Sequence, residues 1–261
     1  MTASGADNPH NGMKRRDFMF DLTGRTALVT GATQGIGFEI AAQLAAQGAK
    51  VFVNGVSSAA KCAAAAEKIP NAAPVCADIT TAEGRDRLYA VTGDVDILVL
   101  NASVQYKRAW DEFSEAEYDA QMDCNLKSSY FLIKKYADGM KKRGFGRIVT
   151  VGSVNQYNQH PELSLYGVTK AAQLKLVQNI APALAPFGVT VNNVAPGAIN
   201  TPRNEAVLSD PDALRAVEAK IPCGRVGTPA DIAPAVLLLC SEEGGYITGA
   251  ELRIDGGMAL K

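Results

Sequence analysis

The stretch TALVTGATQGIGFEI, Thr26 to Ile40, decides the fold. It begins as a short strand and ends as the opening of a helix, and Gly31, Gly35 and Gly37 lie where one turns into the other. Glycine permits a tight turn and lets backbone amides approach a pyrophosphate, whose charge the helix N-terminus stabilises. The G-x-x-x-G-x-G spacing differs from the usual G-x-G-x-x-G fingerprint, so these residues alone leave open a glycine-rich turn that holds no ligand.

Working outward, the same strand-then-helix pattern recurs to the end of the chain. Strands are predicted at TALVTG, KVFVNG, APVCAD, VDILVLN, GRIVTVGS, VTVNNVAPG and GAELRIDGG. Several are apolar throughout, as strands covered on both faces are. Between them lie helical patterns such as GFEIAAQLAAQG and EAEYDAQMDCNLKSSYFLIKKYADGMKKR. The alternation predicts an α/β fold: a Rossmann-like, doubly wound parallel sheet of about seven strands, with helices on both faces and ligands outside the carboxyl ends of the strands. Residues 1–17 read as a flexible tail and residues 18–261 as one dinucleotide-binding catalytic domain. The stretch Thr201 to Gly227 is less regular and long enough to fold over a site. Thr228, Pro229 and Asp231 then open a helix as N-cap, first and third positions.

Bulk properties narrow the partners. The chain has 26 basic and 27 acidic residues among 261, so no field of one sign would draw nucleic acid or an anionic membrane. Small molecules and copies of itself are the partners expected. Five cysteines, at positions 62, 76, 124, 223 and 240, form no C-x-x-C pair, which suggests neither a disulfide framework nor a metal site and fits a reducing cytoplasm. KRRDFMF, Lys14 to Phe20, looks like a twin-arginine export signal, but a turn and a strand follow it instead of an apolar helix.

The chemistry concentrates in SVNQYNQHPELSLYGVTK, Ser153 to Lys170. Tyr166 and Lys170 stand four apart, one helical turn on one face, and can act on the same point. In isolation such a pair is more often a surface feature. A tyrosine gives a proton to a ketone oxygen only if its pKa is drawn from about 10 toward neutral, about 4 kcal/mol of differential stabilisation. A neighbouring ammonium such as Lys170 is a plausible source. Ser153 lies in VGSVN without the G-x-S-x-G elbow of serine hydrolases.

Taken in order, TGATQGIG, Ala77-Asp78, LNAS (Leu100 to Ser103), NLKSS from Asn125, Ser153, YGVTK and PGAINT resemble the short-chain dehydrogenase/reductases from about Leu22 onward. The resemblance implies an NAD(P)(H)-dependent oxidoreductase acting on carbonyls and secondary alcohols. Gly31, Gln34, Gly35, Ile36 and Gly37 would hold the pyrophosphate end of the cofactor, Asp78 and Ile79 the adenine, and Asn101 would brace it from beneath. Ile199 and Thr201 would fix the carboxamide. Asn125, Ser153, Tyr166 and Lys170 would be catalytic, Tyr166 and Lys170 also touching the cofactor. Ser153 would bond the substrate oxygen, and Asn125 would hold a water that relays protons toward Lys170. Ser103 stands where the family usually has glycine. At the end of the second strand, Gly55 and Val56 occupy the positions that would select NAD or NADP, and neither signature is present. Ser57, Ser58 and Lys61 favour NADP slightly.

Six residues, Asn155, Gln156, Tyr157, Asn158, Gln159 and His160, should edge the substrate pocket, with Asn155 a candidate contact. Their amides suit a polyhydroxylated substrate, a sugar, polyol or sugar acid, which Arg203, Asn204 and Glu205 would extend. A solvated loop is the plainer reading. Reduction of 3-oxoacyl thioesters is the alternative function, and a non-catalytic cofactor-binding or scaffold protein the alternative of another class. The resemblance also implies a homodimer or homotetramer, with the helices from Glu115 and Tyr166 pairing across a two-fold axis. Pro182 and Pro186 should end or kink the second of these.

Overall fold

Alternate side chains of each strand go to opposite faces of the sheet, and here both faces are covered. Ala27, Val29, Ile97 and Val99 pack on one side, while Leu28, Leu98 and Leu100 pack on the other. This is why several strands, β1 and β4 among them, read as nearly unbroken apolar runs. The computed structural model describes residues 19–56 and 58–260. The tail, most of the arginine-rich stretch and Ser57 therefore lie outside the described residues.

All seven predicted strands form: β1 (Thr26–Val29), β2 (Lys50–Gly55), β3 (Ala72–Cys76), β4 (Ile97–Leu100), β5 (Gly146–Val151), β6 (Val189–Pro196) and β7 (Glu251–Ile254). They make one parallel sheet in the order β3-β2-β1-β4-β5-β6-β7. The connecting helices are α1 (Gly35–Ala46), α2 (Ala59–Ala66), α3 (Ala82–Thr92), α4 (Glu115–Met122), α5 (Ser128–Arg143), α6 (Ser164–Leu184), α7 (Glu205–Leu208), α8 (Pro211–Glu218) and α9 (Pro229–Cys240). Ile40 and Leu44 of α1 and Ile232 and Val236 of α9 cover one face. Leu88 of α3, Leu132, Tyr136 and Met140 of α5, and Val177 of α6 cover the other. The chain reverses direction across the sheet between β1 and β4, so the switch point where such sheets bind ligands lies at their carboxyl ends.

Local signals hold in detail. Thr228 and Asp231 form a capping box with Pro229 in the first turn of α9. One expectation needs correction. Pro182 does not end α6: it sits in the last turn, where few hydrogen bonds remain to be lost, and the helix stops at Leu184 before a 3₁₀ turn that contains Pro186. Tyr118 stands at helical spacing from the buried Asn125, Leu132 and Tyr136, yet is 49% exposed. Between it and Asn125 the helix widens into a π segment, Asp123–Lys127, which rotates the stripe off its 3.6-residue period.

Gly37 packs where no side chain fits. A Cβ there would stand 2.3 Å from Asn101 Nδ2 and 2.6 Å from the Gly31 carbonyl oxygen. Gly37→Ala is expected to lower unfolding free energy by about 1–3 kcal/mol, read by urea denaturation, because the clash falls on backbone and on a hydrogen-bonded amide. An unchanged transition midpoint would show that the turn relaxes freely.

Candidate active site

The glycine turn and the end of β4 are built as one unit. Thr30 Oγ1 accepts from the amides of Asn101 and Ala102 at 3.0 and 3.1 Å. Asn101 Nδ2 in turn donates to the carbonyls of Thr30 and Gly31 at 3.0 and 2.9 Å. Gly31 and Gly35 take positive φ, +61° and +59°. At the N-terminus of α1, Gln34 makes no capping bond and the first turn carries no acid, so the first amides are left to an anion from outside the helix. The residues thus fit a pyrophosphate. Ile36 is half-buried beside them, and Gln34 is exposed.

Asp78 and Ile79 follow β3, where the Asp78 carboxylate accepts from the amide and hydroxyl of Thr80 at 2.9 and 2.7 Å. Ile79 is buried. At the end of β2, Gly55 leaves no space for an acid: its Cβ would meet Thr33 Cγ2 at 2.6 Å and Cys62 Sγ at 3.0 Å. Ser58 caps α2 by accepting from the Lys61 amide at 3.1 Å. Ile199 and Thr201 lie beyond β6, with Thr201 within 3.5 Å of where a Gly35 Cβ would be. The P-G-x-x-x-T loop therefore closes over the glycine turn.

The four catalytic candidates come from three places. Asn125 sits in the π segment, fully buried, and pins the loop after β4: its Oδ1 accepts from the Val104 amide at 2.8 Å and its Nδ2 donates to the Val104 carbonyl at 2.9 Å. The same Nδ2 reaches Thr169 Oγ1 at 3.0 Å. Ser153 follows β5 by two residues, and its Oγ accepts from the Asn155 amide at 3.1 Å. Tyr166 and Lys170 lie on the buried face of α6. Lys170 Nζ donates to the Val151 carbonyl at 2.7 Å and lies 5.7 Å from the Tyr166 ring centre.

Burial opposes the ionised forms of both groups. Burial pushes the Tyr166 phenol up, against the Arg203 charge and hydrogen bonds with Ser153, Ser103 and Arg203, which pull it down. In the protein by itself burial wins, contrary to the expected downward pull. Burial also brings Lys170 down to about 7, the Arg203 charge acting in the same direction and Cys124 against both.

The amide run divides. Asn155 remains beside Ser153, half-buried, but Gln156 is committed to β7, donating to Glu251 Oε1 at 2.9 Å and to the Tyr157 hydroxyl at 3.1 Å. Gln159 and His160 are exposed. Of the residues in the segment after β6, Arg203 reaches the site, Nη1 to Ser103 Oγ at 3.0 Å and Nη2 to the Ser103 carbonyl at 2.7 Å. Asn204 instead holds its own loop through the Ile199 carbonyl at 2.8 Å, and Glu205 begins α7 on the surface. Two residues that sequence reasoning passed over also enter the site. Thr169 joins Tyr166 to Asn125, and Gln173 is wholly buried against Lys170. The available signal was the amide of Gln173 within an otherwise small and apolar stretch of the face that carries Lys170.

Comparison with known proteins agrees with this geometry. Residues 31–259 match the family described as Enoyl-(Acyl carrier protein) reductase. The chain is 38% identical to dehydrogenase/reductase SDR family member 4 of Bos taurus, over 94% of this chain and 90% of the relative. It is also 38% identical to a 3-oxoacyl-[acyl-carrier-protein] reductase of Vibrio cholerae, over 92% and 99%. A gluconate 5-dehydrogenase from Burkholderia cenocepacia, solved in complex with NADP and tartrate, superposes with a TM-score of 0.85 at 29% identity, covering 93% of this chain and 98% of that one. Likeness of this extent, in sequence and in fold, makes the chain a member of the short-chain dehydrogenase/reductase family, an oxidoreductase that moves hydride between a nicotinamide nucleotide and a carbonyl or secondary alcohol.

Proposed function

We propose that the substrate is polyhydroxylated and carries a carboxylate, a sugar acid, and that NADP(H) is the preferred cofactor. The observation that carries the substrate reading is Arg203, whose guanidinium stands at the Tyr166 hydroxyl and is held there by Ser103. A guanidinium beside the proton donor suits an anionic substrate group, which it binds through paired charge-assisted hydrogen bonds. The solved gluconate 5-dehydrogenase supports the same class. The likeness to the Vibrio reductase supports 3-oxoacyl thioesters as the second reading.

For the cofactor, Gly31, Gln34, Gly35, Ile36 and Gly37 take the pyrophosphate end, Asp78 and Ile79 the adenine, and Ile199 and Thr201 the carboxamide, with Asn101 bracing the turn. The crowded Gly55 brings no carboxylate against a 2′-phosphate, and Ser58 and Lys61 lie at the adjoining helix start. The nucleotide supplies or accepts the hydride when bound. Tyr166 gives the proton to the carbonyl oxygen in reduction and takes it back in oxidation, while Ser153 donates a hydrogen bond to that oxygen. Lys170 stabilises the phenolate, and Asn125 holds the loop and helix that frame the site. Asn155 edges the substrate side.

Among the described residues no helix is long and apolar enough to cross a membrane. The described cysteines are free, which supports a reducing cytoplasm. Self-association is the remaining reading: a groove of about 600 Å³ between α5 and α6 is lined by Leu126, Tyr130, Phe131, Ala172 and Leu176, and Tyr130 and Phe131 are 48% and 40% exposed.

Absorbance at 340 nm, with each nucleotide and a panel of sugar acids, polyols, hydrophobic alcohols and 3-oxoacyl thioesters, tests the reading. Faster turnover of thioesters or hydrophobic ketones than of any polyhydroxylated compound would overturn it. Tyr166→Phe is expected to reduce kcat by at least about 10²–10⁴-fold while NADPH still binds, by fluorescence titration. Arg203→Met should raise KM for a sugar acid by about 10–100-fold and leave the KM of a neutral polyol unchanged. Its loss also removes a cation that lowers the Tyr166 pKa, so the acid limb of alcohol oxidation, which needs the phenolate, should move to higher pH. Tyr130→Glu should reduce the mass measured by light scattering to that of one chain.

A further inference from the structure

We infer that Gln173 is a positioning residue: its buried side-chain amide spans the space between the Asn125 carbonyl and the Lys170 ammonium and holds that ammonium charged and aimed at Tyr166. Its catalytic meaning rests on the role proposed for Lys170, whereas the geometry stands by itself. Gln173 has no exposed surface. Its Oε1 accepts from Lys170 Nζ at 3.3 Å, and its Nε2 donates to Ser129 Oγ at 2.8 Å and to the Asn125 carbonyl oxygen at 3.2 Å. Ser129 Oγ sends its own hydrogen to the same carbonyl at 3.1 Å.

Chemistry fixes the direction of every bond in this cluster. An ammonium only donates, so it must face the amide oxygen; a carbonyl only accepts, so it must face the amide nitrogen. The serine hydroxyl completes the ring by giving one hydrogen and receiving another. No alternative orientation of Gln173 satisfies both ends. The Lys170 ammonium has three hydrogens, two of them taken by Val151 and Gln173, and the third is left for the side toward Tyr166 and the cofactor.

The groups acting on Lys170 explain why a neutral acceptor matters here. Tyr166 lies on the same helix, Arg203 approaches from the segment after β6, and Cys124 from the π segment, its thiol within the field of the Asp78 charge. Burial and Arg203 both work against the charge. Two oriented dipoles, the Val151 carbonyl and the Gln173 amide oxygen, are what the cation has in exchange for water. The Gln173 amide also ties the Asn125 carbonyl to Lys170, which fixes the separation of the two ends of the cluster.

The test needs no substrate. The full-length protein is labelled with lysine carrying ¹³C at Cε, the Lys170 resonance is identified by its loss in Lys170→Met, and its titration midpoint is read by NMR. Gln173→Met keeps the side chain's length and removes its hydrogen bonds, and should lower the midpoint by about one pH unit, a tenfold loss in the ratio of charged to neutral amine at a fixed pH between the two midpoints. Gln173→Leu, of different shape, should move it the same way and decides the matter if the methionine variant does not fold. A midpoint unmoved in the folded variants, with only a lower Tm, would reduce Gln173 to a satisfied core amide and overturn the inference. Because the readout is the ammonium itself, it stays decisive even if the substrate reading fails.

Discussion

The tie between Thr30 and Asn101 is the constraint on which the site depends. Two parallel strands that run in register and then diverge to opposite sides of the sheet leave a crevice at their ends, and unpaired backbone groups there would collapse it or fill with water. One hydroxyl and one carboxamide satisfy four of those groups at once. With the crevice propped open, α1 can present its first amides, and Gly37 can approach Asn101 more closely than any residue with a Cβ could.

A second theme is how little formal charge of opposite sign the cluster of candidate residues contains. Lys170, Tyr166 and Arg203 crowd together, and the hydrogen-bond partners of Lys170 are carbonyl and amide oxygens. Fixed dipoles in a buried site respond to a developing charge without reorganising, which suits a centre meant to stabilise charge that appears and disappears during turnover. The widened π turn serves this arrangement. It places Asn125 so that its side chain meets Val104 and Thr169 while its carbonyl meets Gln173 and Ser129.

The fold was legible because its signals are local and repeated. Apolar runs marked several of the strands, the glycine turn marked the switch point, and the spacing of Tyr166 and Lys170 put both on one helical face. What escaped the sequence depends on where distant segments meet. Gln156 looked like a substrate-facing amide until β7 supplied Glu251, ninety-five residues away. Gln173 and Thr169 are ordinary helical residues until the π segment is laid against them. Arg203 was read as an extension of the pocket, and the contact that gives it a definite place, with Ser103, spans a hundred residues. Pro182 misled for the opposite reason: a strong local rule loses its force when only one turn of helix remains to be broken.

The crowding around Gly55 reaches beyond cofactor choice in the present chain. Thr33 and Cys62 already occupy the volume that a side chain at position 55 would need. A carboxylate there, the usual way to favour the unphosphorylated nucleotide, cannot be added by one substitution without displacing a residue of the glycine turn or of α2. Any side chain at position 55 has to push aside the Thr33 methyl and the Cys62 thiol. Nucleotide choice is thereby tied to the packing of the glycine turn against α2, and a change made for one is felt by the other.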